Sequence, residues 1–167
     1  MQGNGQIYND SYTREAMSMK EAPLAEVTLR RYEKPSSLNN HRELVKKVCL
    51  SLGLLQPGDG RDSIVDIVLV LEKARKERKW CTSFEIRDLV EHSRKEHGYE
   101  LKGLAESNIR RQLKRLRDIL LIDKQENKYR LSEFAPLREL FESKIEKFLI
   151  PQCLERIKEY LSALEKV

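Results

Sequence analysis

No run in this sequence approaches the roughly 18 consecutive apolar residues that a bilayer-spanning helix needs. No basic-then-apolar stretch with a small-residue cleavage site opens it either. Both absences predict a chain that neither crosses a membrane nor is sent across one. Cysteine is scarce. Cys49, Cys81 and Cys153 are odd in number and far apart, which argues against a disulfide framework and for a reducing, cytoplasmic compartment. Metal-ligand spacing is missing too. His41, His92, His97 and Cys81 offer no C-x2-C and no pair at i, i+4, and His92 and His97, five apart, face different sides of a helix. The stretch "PGDGRD" lacks the glycine–lysine–hydroxyl signature of a phosphate loop and reads as a turn. No Ser/His/Asp set or carboxylate pair stands out among the many surface acids. The expectation is a protein that is not an enzyme and uses no metal or cofactor. A platform for stacking RNA bases is absent as well, since Tyr129 stands alone near the basic stretch described below.

What is present is enough for one core with an additional element. The chain has 167 residues, 40% apolar and 35% charged, with a formal net charge of +5 and a pI of about 9.1. A basic excess of this size matters only where it is concentrated. Residues 1–36, rich in Gly, Asn, Ser, Glu and Met, read as a flexible arm with one candidate strand around Val27 and Leu29. Residues 37–61 read as one helix and a turn. Asn40 with Glu43 makes a capping box, Leu44 and Val48 share a face, and Gly53 stands where a C-terminal cap belongs.

Periodicity then predicts further helices. The first starts at Asp62 or Ser63, with Ile64, Ile67, Val68 and Leu71 inward. It ends in the basic run "KARKERK", which suits the helix dipole and reads as a solvated end. After an extended "WCT", Thr82 and Glu85 cap a second, with Ile86, Leu89, Val90 and Ser93 on one face and Gly98 after its end. Residues 134–167 form a C-terminal segment in which a long amphipathic pattern follows Pro136 and carries Leu137, Phe141, Ile145 and Phe148. Pro151 should break or kink it. Leu154, Ile157, Leu161 and Leu164 then follow at alternating spacings of three and four, a short coiled-coil seam. No repeat or low-complexity tract occurs.

The charge sits between Ser107 and Arg130. That stretch holds eight Lys/Arg against three Asp/Glu, a net +5 equal to the excess of the whole chain, whereas Glu133–Val167 holds six against seven. On a helix at about 100° per residue, Ile109, Leu113, Leu116 and Leu120 form a narrow apolar stripe. Opposite lie Ser107, Asn108, Arg111, Lys114 and Arg115, flanked by Arg110 and Arg117. Arg111 and Arg115 are like charges at i, i+4, an arrangement that costs a helix a few tenths of a kcal/mol and points to an anionic partner. Two short strands, "LLIDKQ" and "KYRLS", can pair about Glu126-Asn127 and add Lys124, Lys128 and Arg130 beside the helix.

Helix, short strand, helix, helix, hairpin resembles the winged helix-turn-helix domain of bacterial and archaeal transcription regulators. "SNIRRQLKRLRDILLIDKQENKYRLS" looks like its recognition helix and wing, with Ser107, Ile109, Leu113, Leu116, Leu121 and Ile122 in matching positions and Leu120 where a glycine is usual. The resemblance covers residues 62–133. It implies a mainly α fold with a small β-hairpin wing, flanked by an N-terminal helix and C-terminal amphipathic helices. It further implies sequence-specific binding of double-stranded DNA. Helix 107–118 would enter the major groove, with Arg111 and Asn108 on base edges. Ser107 lies on that face. Arg110, Lys114, Arg115 and the residues Lys124, Lys128 and Arg130 of the 120–132 wing would lie on phosphates. Regulators of this fold commonly pair through added helices. The eight apolar residues of 134–167 named above are therefore the expected homodimer interface. The competing expectation is an interaction adaptor in a transcription, replication or chromosome-segregation assembly, with the N-terminal arm and C-terminal helices contacting a protein partner.

Overall fold

A computed structural model describes residues 21–38 and 40–167, and the candidate arm's first 20 residues lie outside that range. Residues 25–36 take no regular secondary structure, and no strand forms at Val27–Leu29. The segment is nonetheless held. The Arg30 N–H donates to the Ser51 carbonyl at 2.8 Å, and its guanidinium donates to the carbonyls of Leu50 and Leu55 and to Gln56 Oε1. Ala25 and Val27 pack on the core. This part of the expected arm is therefore a strap on the domain.

Helix α1 spans His41–Ser51 and carries the expected Asn40/Glu43 capping box. Its buried face is Val45 and Cys49, while Leu44 and Val48 are exposed. Gly53 follows at φ +68°. A Cβ built there would lie 2.5 Å from Thr28 Cβ of the strap, so both the conformation and the space require glycine. Helix α2, Ser63–Lys76, is the centre of the core, with Ile64, Val65, Ile67, Val68 and Leu71 almost wholly inaccessible. Strand β1, Cys81–Thr82, leads into α3, Ser83–His97, where Thr82 and Glu85 form the predicted box and Gly98 at φ +69° ends the helix. Helix α4 is Glu106–Asp118. Strands β2, Ile122–Gln125, and β3, Lys128–Leu131, follow, joined at Glu126-Asn127 with Glu126 at φ 55°. The three strands form one antiparallel sheet in the order β1-β3-β2, with Cys81 opposite Tyr129 and Ile122 opposite Leu131. The fold is mainly helical with this small sheet beside α4.

Asp62 does not cap α2 with its side chain. It belongs to a buried ionic cluster. Arg94 of α3, 2% exposed, donates to Asp62 at 2.8 Å and to Asp66 at 2.7 Å, and to the carbonyls of Glu100 and Lys102 at 2.7 and 3.1 Å. Arg42 of α1 donates to the same two carboxylates at 3.0 and 2.9 Å and lies over the Tyr99 ring. Burial alone would raise the Asp62 carboxyl. The hydrogen bond and charge of Arg42, with Arg94 and Lys46, hold it below the ordinary value instead. Two guanidinium groups and two carboxylates thus satisfy each other where α1, α2, α3 and the 98–105 loop meet. The buried stripe of α3 is accordingly Ile86, Val90 and Arg94, and Leu89, an expected core residue, is half-exposed.

The C-terminal segment differs from expectation in phase. Helix α5, Leu137–Leu140, runs into a π-helical stretch, Phe141–Leu149, and then into α6, Ile150–Leu164, without a break. Pro151 lacks an N–H and its ring would clash with the carbonyl four residues back, and the wider turn before it relieves that conflict. The extra residue per turn shifts the buried stripe to Leu140, Ile145 and Leu149. Of the expected dimer residues, Ile145 is therefore fully inside the chain's own core, and Leu137 and Phe141 pack against it. Phe148, Leu154, Ile157, Leu161 and Leu164 are exposed. Among the described residues no helix is long and apolar enough to cross a membrane.

Candidate nucleic-acid interface

Helix α4 is seated by its predicted stripe. Ile109, Leu113 and Leu116 are wholly buried. Leu120 follows the helix at φ 62°, the left-handed conformation in which glycine is usual. The helix closes at Asp118, its Ile119 cap is buried, and the chain turns directly into β2.

A second, polar shoulder of α4 is partly buried, and there the outward face is narrower than the sequence implies. Asn108 Nδ2 donates to the Gly103 carbonyl at 2.7 Å and to Ser63 Oγ at 3.1 Å, while its Oδ1 accepts from Arg111 and Gln112. The amide is fully used within the chain, which leaves no free bidentate edge for adenine. Arg115 donates to the Gly53 carbonyl at 2.6 Å and to Gln112 Oε1 at 3.0 Å. It ties α4 to the turn after α1, the same turn that Arg30 holds from the other side. The Asn108–Gln112–Arg115 row is thus an internal brace.

The exposed arc is Ser107, Arg110, Arg111, Lys114, Arg117 and Asp118. Its centre is rotated toward Arg110 and Arg117, and it covers about 120° at about 100° per residue. Within it Arg110 pairs with Glu106 at 3.0 Å and Lys114 with Asp118 at 2.7 Å, both at i, i+4 on the surface. Such pairs are worth about 0.3–0.5 kcal/mol and open readily. Arg111 donates to Asn108 but has no carboxylate partner, and Arg117 has no ion-pair partner, among the described residues.

The hairpin divides similarly. Lys124 lies 5.8 Å from the Tyr129 ring centroid and, like Lys128, is exposed. Arg130 is committed elsewhere. It donates to Asp123 at 2.9 Å and lies against both rings of the edge-to-face Trp80–Phe134 pair, 4.4 and 4.6 Å from their centroids. Its role is to fix the hairpin to the segment after α2. Phe84 was not legible as a surface residue. It is exposed at the start of α3, with the guanidinium groups of Arg110 and Arg87 at 5.6 and 5.9 Å from its ring. No sequence signal marks it, since Ser83 and Ile86 of the same first turn are wholly buried.

Among the described residues no group of three or more His, Cys, Asp and Glu side chains is placed to hold a metal ion. No protein-family model matches the chain, and no curated protein or solved structure is significantly similar to it.

Proposed function

We propose that this chain is a winged-helix protein that binds double-stranded DNA and regulates transcription. The exposed arc of α4 lies in the major groove and the β2–β3 hairpin lies along the adjacent backbone. One observation carries the reading. Arg110, Arg111, Lys114 and Arg117 share the outward face of a helix that is braced on its other sides, with Lys124 and Lys128 exposed on the hairpin beside it. A groove about 12 Å wide admits one α-helix, and arginine is the commonest donor to guanine edges. Arg111 and Arg117, free of carboxylates, are the base-reading candidates. Lys124, Lys128 and, once their surface pairs open, Arg110 and Lys114 contact phosphates.

The braces support this role in physical terms. Asn108, Arg115 and Arg130 hold the roll of α4 and the pitch of the hairpin, and a reading helix must be held rigidly to place its side chains to within a fraction of an ångström. Selection from a random duplex pool tests the proposal. An enriched motif whose preference relaxes at one base pair in Arg111→Ala supports it, with a loss of about 1–3 kcal/mol at the preferred site. Equal recovery of all sequences by the parent and the variant rejects it. The adaptor reading draws on a different feature, the uncovered apolar residues of α6.

A further inference from the structure

Helix α6 has no buried residue along Ile150–Leu164. Yet Leu154, Ile157, Leu161 and Leu164 recur at spacings of three, four and three on one side, between 52% and 70% exposed, with Tyr160 beside them at 70%. A lone helix of this length is marginal in water, and a contiguous apolar row of this kind marks an interaction surface. Beside it the strap returns. Pro23, Leu24 and Ala25 face Cys153, Ile157 and Tyr160 across a groove of about 650 Å³, and Leu24 is 99% exposed.

We propose that α6 of a second copy of this chain seats in that groove, so that the dimer is closed by the two α6 seams together with the two N-terminal straps. The interface is narrower than the one expected from the sequence, because Leu137, Phe141 and Ile145 are spent in the chain's own core. It is also broader, because the strap contributes.

Two observations favour a second copy over an unrelated partner. The first is charge. Between Ile150 and Lys166 there are three basic residues, Arg156, Lys158 and Lys166, and three acidic ones, Glu155, Glu159 and Glu165. A neutral, mixed-sign helix can face itself across a two-fold axis without net repulsion, as an isologous contact requires. The second is area. Taking a large apolar side chain as roughly 200 Å², the five exposed residues of the row, Tyr160 included, offer roughly 600 Å² per chain. Leu24 and the groove walls add to that. Two copies together bury roughly 1,200 Å² or more, which reaches the range of specific interfaces. The row without the strap sits at the low end of that range, which is why the strap is needed.

Sedimentation equilibrium on the full chain tests this with three variants. The parent is expected to be a dimer at micromolar concentration. Leu161→Asp places a charge in the seam and should yield monomer, with near-parent helical content by circular dichroism. Leu24→Glu lies outside the helix and cannot unfold it, and should weaken the dimer at least 10-fold. Deletion of residues 1–20 should leave the dimer constant within threefold, because the strap residues that the proposal places in the interface begin at Pro23. A monomeric parent, or a Leu161→Asp chain that dimerises normally, overturns the proposal. A Leu24→Glu chain with parental affinity removes the strap from the interface and overturns it in that form. Stronger dimerisation on deleting residues 1–20 shows that this segment occupies the groove, which also overturns it.

Discussion

Replacing Arg94 by Met keeps an unbranched side chain of similar reach and removes only the guanidinium. In the parent that group donates to two carboxylates and two backbone carbonyls from a position 2% exposed. After the change, Asp62 and Asp66 share Arg42, with only the half-exposed Lys46, 3.7 Å from Asp62, left to balance the second carboxylate. The carbonyls of Glu100 and Lys102 lose a charged donor. Breaking a buried pair from one side costs about 3–5 kcal/mol. Arg42 stays in place and the loop carbonyls can turn to water, so the lower half of that range, about 3–4 kcal/mol, is the expected loss. With a urea dependence of about 2 kcal/mol per molar, the unfolding midpoint falls by about 1.5–2 M. Adding Asp66→Asn removes the poorly balanced charge and should recover part of the loss, which a double-mutant cycle reads directly. The loop matters to α4 as well, because the Gly103 carbonyl, next to Lys102, anchors Asn108. A loss below about 1 kcal/mol, or costs of the two substitutions that simply add, would refute the argument that this cluster acts as one unit.

Three further outcomes follow from local chemistry. The Asp62 carboxyl is held below its ordinary value in the folded state, so the native chain binds fewer protons than the unfolded one over that interval. Its stabilising contribution is full above about pH 4, the unfolded aspartate range, and is lost as pH falls through the lower native value. Urea midpoints measured from pH 6 down to pH 2 should show that fall, shallower in Asp62→Asn. Burial pushes the Cys49 thiol up to about 12 and raises Cys81 as well, while Cys153 is partly exposed. In the Leu161→Asp chain, whose groove is expected to be open, a chromogenic disulfide reagent should therefore titrate one thiol quickly and all three in urea, the fast one vanishing when Cys153→Ser is added. Gly53→Ala should lose at least about 1–2 kcal/mol from its left-handed backbone alone, with more from collision with Thr28. Thr28→Gly in the same chain should recover the collision but not the backbone cost.

The local signals in the sequence were dependable where one physical requirement acted alone. Both capping boxes, Asn40/Glu43 and Thr82/Glu85, form as their spacing indicates, because each depends only on residues three apart. The stripe of α4 and the turn at Glu126-Asn127 formed for the same reason. Long-range polar commitments were not legible. Nothing local marks Arg94 as buried or Arg130 as packed on Trp80, since the two carboxylates on Arg94 are 28 and 32 residues away and Trp80 is 50 residues from Arg130. Asn108 and Arg115 looked outward on a helical projection that treats one side as core and the rest as solvent, whereas Ser63, Gly103 and Gly53 reach that shoulder from elsewhere in the chain. The C-terminal stripe was misphased because a regular period was carried through residues that form a π-helical stretch ahead of Pro151.

DNA affinity as a function of salt tests the central claim most directly. A labelled 20–30-base-pair duplex is titrated with the chain at several salt concentrations between 50 and 200 mM, and the dissociation constant is read by fluorescence anisotropy. With Arg110, Lys114, Lys124 and Lys128 on phosphates, the logarithm of the association constant should fall against the logarithm of salt with a slope of about −3 to −4 per chain. Lys128→Ala should weaken binding to every sequence and flatten that slope by about one, whereas Arg115→Ala should act through stability. A chain that binds no duplex at 50 mM salt, or binds with a slope near zero that Lys128→Ala leaves unchanged, would contradict the account.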